Sequence, residues 1–360
     1  MTDAARLDHV RRIADQFINF FNTGLDYAQS RNPLIEKSET GSRQLKNNYD
    51  WWKDMGMLEF LANYGRFIRV NQMLARDSIK NRLDSEQGIG FNEFTYQVLQ
   101  AYDFYYLNQH FGVDVQVGGN DQYGNIVAGI DFISRLVRQD STKEQSCYGL
   151  TVPLLTTASG VKFGKSAGNA IFIDPELTPS YQIYQFMYRT EDEDVQRFLY
   201  KFSMLPLSVI DRVVETHNSN KKDRFGQRVL AMEMCDLIHG DGEGYDNNVV
   251  SKTLYSKDSD TEFNSEDILR AFKKQNMVTP LTRKQLGEST VPQLLYLLSN
   301  GSHSKSEFRR KIQGNAVYLG RKKDDKIESV DTIIEPERLI DGKLLLLRAG
   351  KEYYIAELVD

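Results

Sequence analysis

The chain has 360 residues, 40% of them hydrophobic and 26% charged, with a formal net charge of −5. That is ordinary for a soluble globular protein with a real core, and at about 150 residues per domain it predicts two or three domains. The acidity argues against a general polyanion binder, and no apolar run reaches the roughly 18 residues that a bilayer crossing needs.

The start, Met1 to Arg12, has no apolar signal core, and Asp3 and Asp8 make it a poor mitochondrial presequence. Leu7, Val10, Ile13, Ala14, Phe17 and Phe21 recur at helical spacing. They predict an amphipathic helix over 7–21, which Asn22-Thr23-Gly24 would end. Residues 30–46 read as loop, 58–64 and 70–74 as helical, and Glu86 to Gly90 as a break. A helix over 91–110 is followed by a strand over 113–117, the Gly118-Gly119 turn and a helix over 122–137. That order is an α/β signature. A second strand is predicted over 149–155, and a Lys/Gly-rich loop over 159–169. Residues 178–239 are helical in pattern throughout, 240–245 read as loop, and 264–273 and 291–298 as helices. Ser304 to Glu307 forms a capping box, with Gly314 at the C-cap of the helix it opens. Residues 344–347 and 353–355 make a hairpin through Gly350. There are no internal repeats and no low-complexity segments.

Cys147 and Cys235 lie far apart and form neither a metal-ligand pattern nor a disulfide framework. A reducing compartment fits this usage. The charge is unevenly placed. Residues 301–326 hold eight basic and three acidic side chains, a local net charge of +5. Such a patch can locate a nucleic-acid contact, although on charge alone it reads as a solvated face.

Tyr96, Gln100 and Asp103 fall at i, i+4 and i+7, one polar line on a helix whose neighbours Val98, Leu99, Ala101, Phe104 and Leu107 predict burial. Buried polar groups need partners. The stripe is therefore either satisfied internally or turned to a ligand. The next strand ends in Gln116-Val117-Gly118-Gly119-Asn120-Asp121-Gln122, and ligands of open α/β sheets bind beyond the carboxyl ends of strands. Glycines there admit a close approach to the backbone. Asp121 can accept from a ribose hydroxyl, and the next helix N-terminus favours an anion. Lys162 and Lys165, three apart on a Gly-flanked loop ending at Ser166, can clamp polyphosphate.

These strings resemble the tyrosyl-tRNA synthetases, a class I aminoacyl-tRNA synthetase family, from about Asn47 to the end of the chain. Asn47-Asn48-Tyr49-Asp50-Trp51 is similar to the family's NNYDW, and Phe91 to Tyr96 and Leu99 to Phe104 to its FTEFSY and LQAYDF. The string from Gly118 to Asn125 is similar to GGSDQWGN, and Lys162 to Ser166 to the KMSKS loop. Ser304 to Leu319 resembles the S4-type RNA-binding module of bacterial and mitochondrial members.

The resemblance implies an α/β fold with three parts. An incomplete Rossmann-like catalytic domain over 1–175 would carry the dimer region and the loop of Lys162. An α-helical anticodon-side domain would span 176–280, and a small α+β S4-like RNA-binding domain 281–360. It implies tyrosine activation by ATP, with magnesium and no tightly bound cofactor, then transfer to tRNA(Tyr). Tyr96 and Gln100 would hold the tyrosine amino group and Asp103 its phenol, while Gln116 and Gln122 orient the amino acid. Gly118, Gly119 and Asp121, with Lys162 and Lys165, would bind ATP. Lys162, Lys165 and Ser166 would stabilise the departing pyrophosphate. Lys305, Arg309, Arg310, Lys311, Arg321 and Lys322 would face RNA. The resemblance also implies a homodimer, pairing around Trp51 to Leu74 and Phe91, and a mitochondrial matrix or bacterial cytoplasmic location.

One departure stands out. None of His9, His110, His217, His239 and His303 sits in the family's HIGH pattern. The chain as given is therefore expected to lack the N-terminal part of the active site. That leaves a second reading, a non-catalytic RNA-binding relative of the synthetases. Asp103 and the S4-like tail argue against the sister tryptophanyl enzymes.

Overall fold

The computed structural model describes residues 2–35, 43–74, 79, 88–137, 147–160, 171–255, 263–320 and 325–359. The chain divides into two compact units. One spans 42–169 and the other comprises 1–41 with 170–360.

In the 42–169 unit, α2 (Tyr49–Trp52), α3 (Met57–Asn63) and α4 (Val70–Leu74) precede the long helix α5 (Phe91–Phe111). Gly112 ends α5 at φ 66°, with its N–H donating to the Asn108 and Leu107 carbonyls. This left-handed cap is open to glycine without a Cβ penalty. Strand β1 (Val115–Gly119), helix α6 (Tyr123–Val137) and strand β2 (Tyr148–Val152) form a βαβ unit. Its strands pair in parallel, Val115 beside Tyr148 and Gly119 beside Val152. Helix α6 packs against α5 closely enough that a Cβ on Gly129 would stand 2.9 Å from Phe104. The core is aromatic: Trp51, Phe60, Tyr102 and Phe132, joined by Trp52, Tyr64 and Tyr105.

The other unit begins with α1 (Asp3–Arg31), which runs through Asn22-Thr23-Gly24 instead of ending there. Tyr27 and Ala28 are its buried residues, and Leu7, Val10, Ile13, Phe17 and Phe21 are exposed. Helices α7 (Ser180–Tyr188), α8 (Asp192–Phe202), α9 (Leu207–Ser219) and α10 (Phe225–His239) replace the continuous helical stretch of the sequence reading. Residues read as loop at 243–245 open α11 (Glu243–Tyr255), and α12 (Ser265–Lys274) follows with Asn264 as its N-cap.

A four-stranded sheet completes this unit, in the order β3 (Val278–Thr282), β6 (Glu352–Val359), β5 (Leu344–Ala349), β4 (Val317–Leu319). β3 lies parallel to β6, and the other pairings are antiparallel. Helices α13 (Arg283–Glu288), α14 (Val291–Leu298) and α15 (Lys305–Gln313) complete the set. Leu345 and Leu347 pack with Leu294, Leu295 and Phe308, whereas Leu344 and Leu346 pack with Val249, Ile268 and Phe272. The two-residue period of a strand sends alternate leucines to opposite faces. Both faces are covered, which is why the run of four leucines does not alternate with polar residues.

Among the described residues no helix is long and apolar enough to cross a membrane, and both cysteines are free.

Candidate active site

Helix α5 and the end of β1 present the groups that the sequence singled out. Asn125, on the first turn of α6 and 6% exposed, donates through Nδ2 to Tyr96 Oη at 3.0 Å and to Gln122 Oε1 at 3.2 Å. Gln100 Nε2 reaches the same Gln122 oxygen at 3.5 Å, and Gln122 Nε2 donates to Asp121 Oδ2 at 3.0 Å. Tyr96, Gln100, Asp121, Gln122 and Asn125 thus form one network, which orients the side chains instead of leaving them to rotate.

Gly118 and Gly119 are glycines for a local reason. A Cβ on Gly118 would stand 2.8 Å from Gln122 Cβ, and one on Gly119 2.5 Å from Asp121 Oδ1. The turn can fold Gln122 and Asp121 back over the strand end only because nothing stands there. Gln116, on β1, keeps a buried Oε1 with no hydrogen-bond partner among the described residues. A buried acceptor left unpaired costs about 1–3 kcal/mol, which a donor on a ligand would recover.

Asp103 belongs to a second cluster. Its Oδ1 accepts from Trp51 Nε1 at 2.8 Å and Trp52 Nε1 at 2.7 Å, and its Oδ2 accepts from Asn48 Nδ2 at 3.1 Å. Close by, burial pushes the Tyr102 and Tyr105 phenols above their ordinary range. Both stay neutral at physiological pH.

In the C-terminal sheet region, Ser304 Oγ accepts from Glu307 N–H at 3.1 Å, one half of the expected capping box, and Gly314 caps α15. The Glu307 carboxylate turns to His303 and Lys311 instead of the Ser304 N–H. Arg309 and Arg310 are exposed, and the Lys305 ammonium lies 5.2 Å from the centre of the Tyr296 ring. Lys311 is ion-paired with Glu307 at 3.3 Å and Glu352 at 3.1 Å. His303 bridges the same two carboxylates, Nδ1 to Glu307 at 3.0 Å and Nε2 to Glu352 at 3.1 Å. The Glu307 bond, with Glu352 adding to it, raises the His303 pKa above the usual imidazole value.

A family model described as tRNA synthetases class I (W and Y) matches residues 12–254. The mitochondrial tyrosine–tRNA ligase of Saccharomyces cerevisiae is 44% identical over 352 residues, 98% of this chain and 69% of that protein. The tyrosine–tRNA ligase of Pediococcus pentosaceus is 36% identical over 324 residues, 90% of this chain and 74% of that one. Among solved structures, a C-terminally truncated mitochondrial tyrosyl-tRNA synthetase from Coccidioides posadasii is similar with a TM-score of 0.61 at 34% identity, covering 69% of this chain and 68% of that one. The chain belongs to the tyrosine–tRNA ligases.

The chain has the class I synthetase fold. Tyr96, Gln100, Asp121 and Gln122 meet in one network, while Asp103, on the same helix as Tyr96 and Gln100, pairs with the indole donors of α2. Helix α5 is less buried than its sequence suggests, with Leu99 40% exposed. Lys162, Lys165 and Ser166 lie outside the described residues, as do Arg321 and Lys322. Asn125, Asn48, Trp51 and Trp52 are not among the site residues expected from the sequence. The signal for Asn125 is its place at the end of the Gly118 to Asn125 string; that it faces Tyr96 only the fold shows. Asn48 and Trp51 lie in the NNYDW-like string, which marks them without showing where their N–H groups point, and Trp52 lies beyond it.

Proposed function

We propose that this protein activates tyrosine with ATP to tyrosyl-adenylate and transfers the tyrosyl group to tRNA(Tyr). The network joining Tyr96, Asn125, Gln122 and Gln100 carries the reading. It offers an amide oxygen and a phenol oxygen to a substrate amino group, next to a strand end stripped of Cβ atoms where an adenylate can lie against the backbone. Asp103 accepts the substrate phenol, and Gln116 and Gln122 orient the reacting carboxylate. Gly118, Gly119 and Asp121 face the ribose. ATP enters with its magnesium as substrate, and Lys162, Lys165 and Ser166 stabilise the charge that develops on the departing pyrophosphate. Little covalent chemistry falls to the protein. Positioning and charge stabilisation lower the barrier.

The exposed Arg309 and Arg310, with Lys305, support tRNA contact by the C-terminal sheet region. Lys311, held between Glu307 and Glu352, has less charge to offer. The exposed Met57, Leu58, Leu61, Val70 and Phe91 support pairing of two copies through the start of the 42–169 unit. The identity to a mitochondrial relative supports action in the mitochondrial matrix.

The test is tyrosine-dependent ATP–pyrophosphate exchange, with tRNA(Tyr) binding measured in parallel. Asp103→Ala should lose most of the preference for tyrosine over phenylalanine. Unchanged selectivity would remove Asp103 from the site. No exchange with tRNA binding intact, both in this chain and in one extended upstream, would move the protein to an RNA-binding role.

A further inference from the structure

We propose that Trp52 is a positioning residue for amino-acid selection: it fixes the Asp103 carboxylate so that a single lone pair, on Oδ2, remains for a substrate donor. The inference rests on the tyrosine-activating reading above and adds to it a residue beyond the NNYDW-like string, which ends at Trp51.

A carboxylate offers about four lone-pair positions. Oδ1 uses two, one for Trp51 at 2.8 Å and one for Trp52 at 2.7 Å, and Oδ2 uses one for Asn48 at 3.1 Å. The position left over is on Oδ2. A lone indole N–H would let the carboxylate swing about the bond it makes. Two on the same oxygen, with an amide on the other, define its plane. Indole is a donor only, so neither tryptophan can turn and accept from the ligand instead.

The donors are themselves held. The Trp51 ring stacks on Tyr106 with centroids 4.5 Å apart. The Trp52 ring packs against Phe60 at 5.3 Å and Tyr102 at 4.8 Å. Tyr102 and Tyr106 flank Asp103 on α5, so the helix that carries the carboxylate also carries the rings that hold its two indole donors. This is the supporting shell that an accurately placed site needs. One open lone pair matches one donor, as on a phenol. A substrate without that donor leaves it unpaired, which is the basis of strong discrimination.

Trp52→Phe keeps a ring between Phe60 and Tyr102 and removes only the N–H. Binding of L-tyrosine and L-phenylalanine to the full chain is measured by titration calorimetry, phenylalanine by competition. The proteins compared are the parent, Trp52→Phe, Asp103→Ala and the double variant. A bond to a charged acceptor is worth tenfold or more, and Trp51 retains part of the restraint. Trp52→Phe should therefore weaken tyrosine by roughly fivefold to tenfold, leave phenylalanine unchanged, and add nothing in the Asp103→Ala background. A purely structural role would weaken both ligands and persist in the double variant, and that result overturns the proposal. So does parental affinity in Trp52→Phe while Asp103→Ala loses selectivity, an outcome that leaves the tyrosine reading intact. A parent with no preference for tyrosine, unaltered by Asp103→Ala, overturns the tyrosine reading and this inference with it.

Discussion

Replacing Arg31 by alanine should detach the end of α1 from α10. Arg31 is 18% exposed and pairs with three carboxylates. Its Nε lies 3.0 Å from Glu233, its Nη1 3.1 Å from Asp241, and its Nη2 bonds Asp236. Glu233 and Asp236 are 9% and 4% exposed, and Tyr27 Oη donates to Glu233 at 2.6 Å. Removing the one cation leaves two buried carboxylates close together, a change of about 3 kcal/mol, at the low end for a broken buried pair because Asp241 reaches solvent. For a unit of roughly 230 residues this lowers Tm by about 6–12 °C.

The loss should depend on pH. Burial first of all raises the Asp236 pKa to about 6. The folded state then binds a proton that the unfolded state has released, so this group's contribution falls as pH rises from about 4 to about 6. Without Arg31 the folded pKa climbs further, and the fall extends to higher pH. The Tm difference between parent and Arg31→Ala, followed by circular dichroism, should be smaller at pH 5 than at pH 8. A difference under 2 °C at both pH values would refute the claim that these charges hold α1 in place.

Asn125→Ala removes the donor shared by Tyr96 and Gln122, and the tyrosine KM in pyrophosphate exchange should rise roughly tenfold, the cost of one such bond. His303 has a raised pKa, so its stabilisation is complete below pH about 6.5 and fades as pH rises through the folded value. His303→Ala should flatten Tm against pH between about 6 and 8. A Cβ on Gly244 would stand 2.3 Å from the Met232 carbonyl oxygen, a backbone atom that cannot swing away. Gly244→Ala should lower stability in urea by about 1–3 kcal/mol.

Strong local patterns were legible in the sequence. The α5 stripe and α14 appear where the residues predict them, because each depends on neighbours a few positions away. The strand–glycine–helix order appears too, but β1 begins two residues later than expected and takes Gly118 and Gly119 into its pairing with β2. Features decided by distant partners were not. Gly24 and its flanking Asn22 and Thr23 read as a helix stop, at a local cost near 1 kcal/mol. The burial of Tyr27 and the ion pairs of Arg31 outweigh that cost and carry α1 onward. Helix α11 was missed because it has no polar face to betray its period: Asp246, Asn247, Asn248, Ser251 and Thr253 are all buried along with its apolar residues. Strand β3 contains Pro280, a residue that argues against a central strand. It proves to be the edge strand of its sheet, where the missing N–H is tolerated. At the site, the residue types were readable and their pairing was not. Nothing in the spacing of Trp51 and Trp52 shows that both indoles converge on one oxygen.

The order β3-β6-β5-β4 sets the timing of assembly on the ribosome. β6 is synthesised after every other strand of its sheet, yet it lies between β3 and β5 and bonds both. A nascent chain that has emerged only as far as Gly350 can zip β4 to β5 but leaves β3 with no neighbour. The sheet must wait for its middle plank. A late frameshift, or clipping by a protease near Lys351, would therefore remove the centre of the sheet and not its fringe, exposing Leu281 and Leu346 to whatever quality-control machinery patrols the compartment.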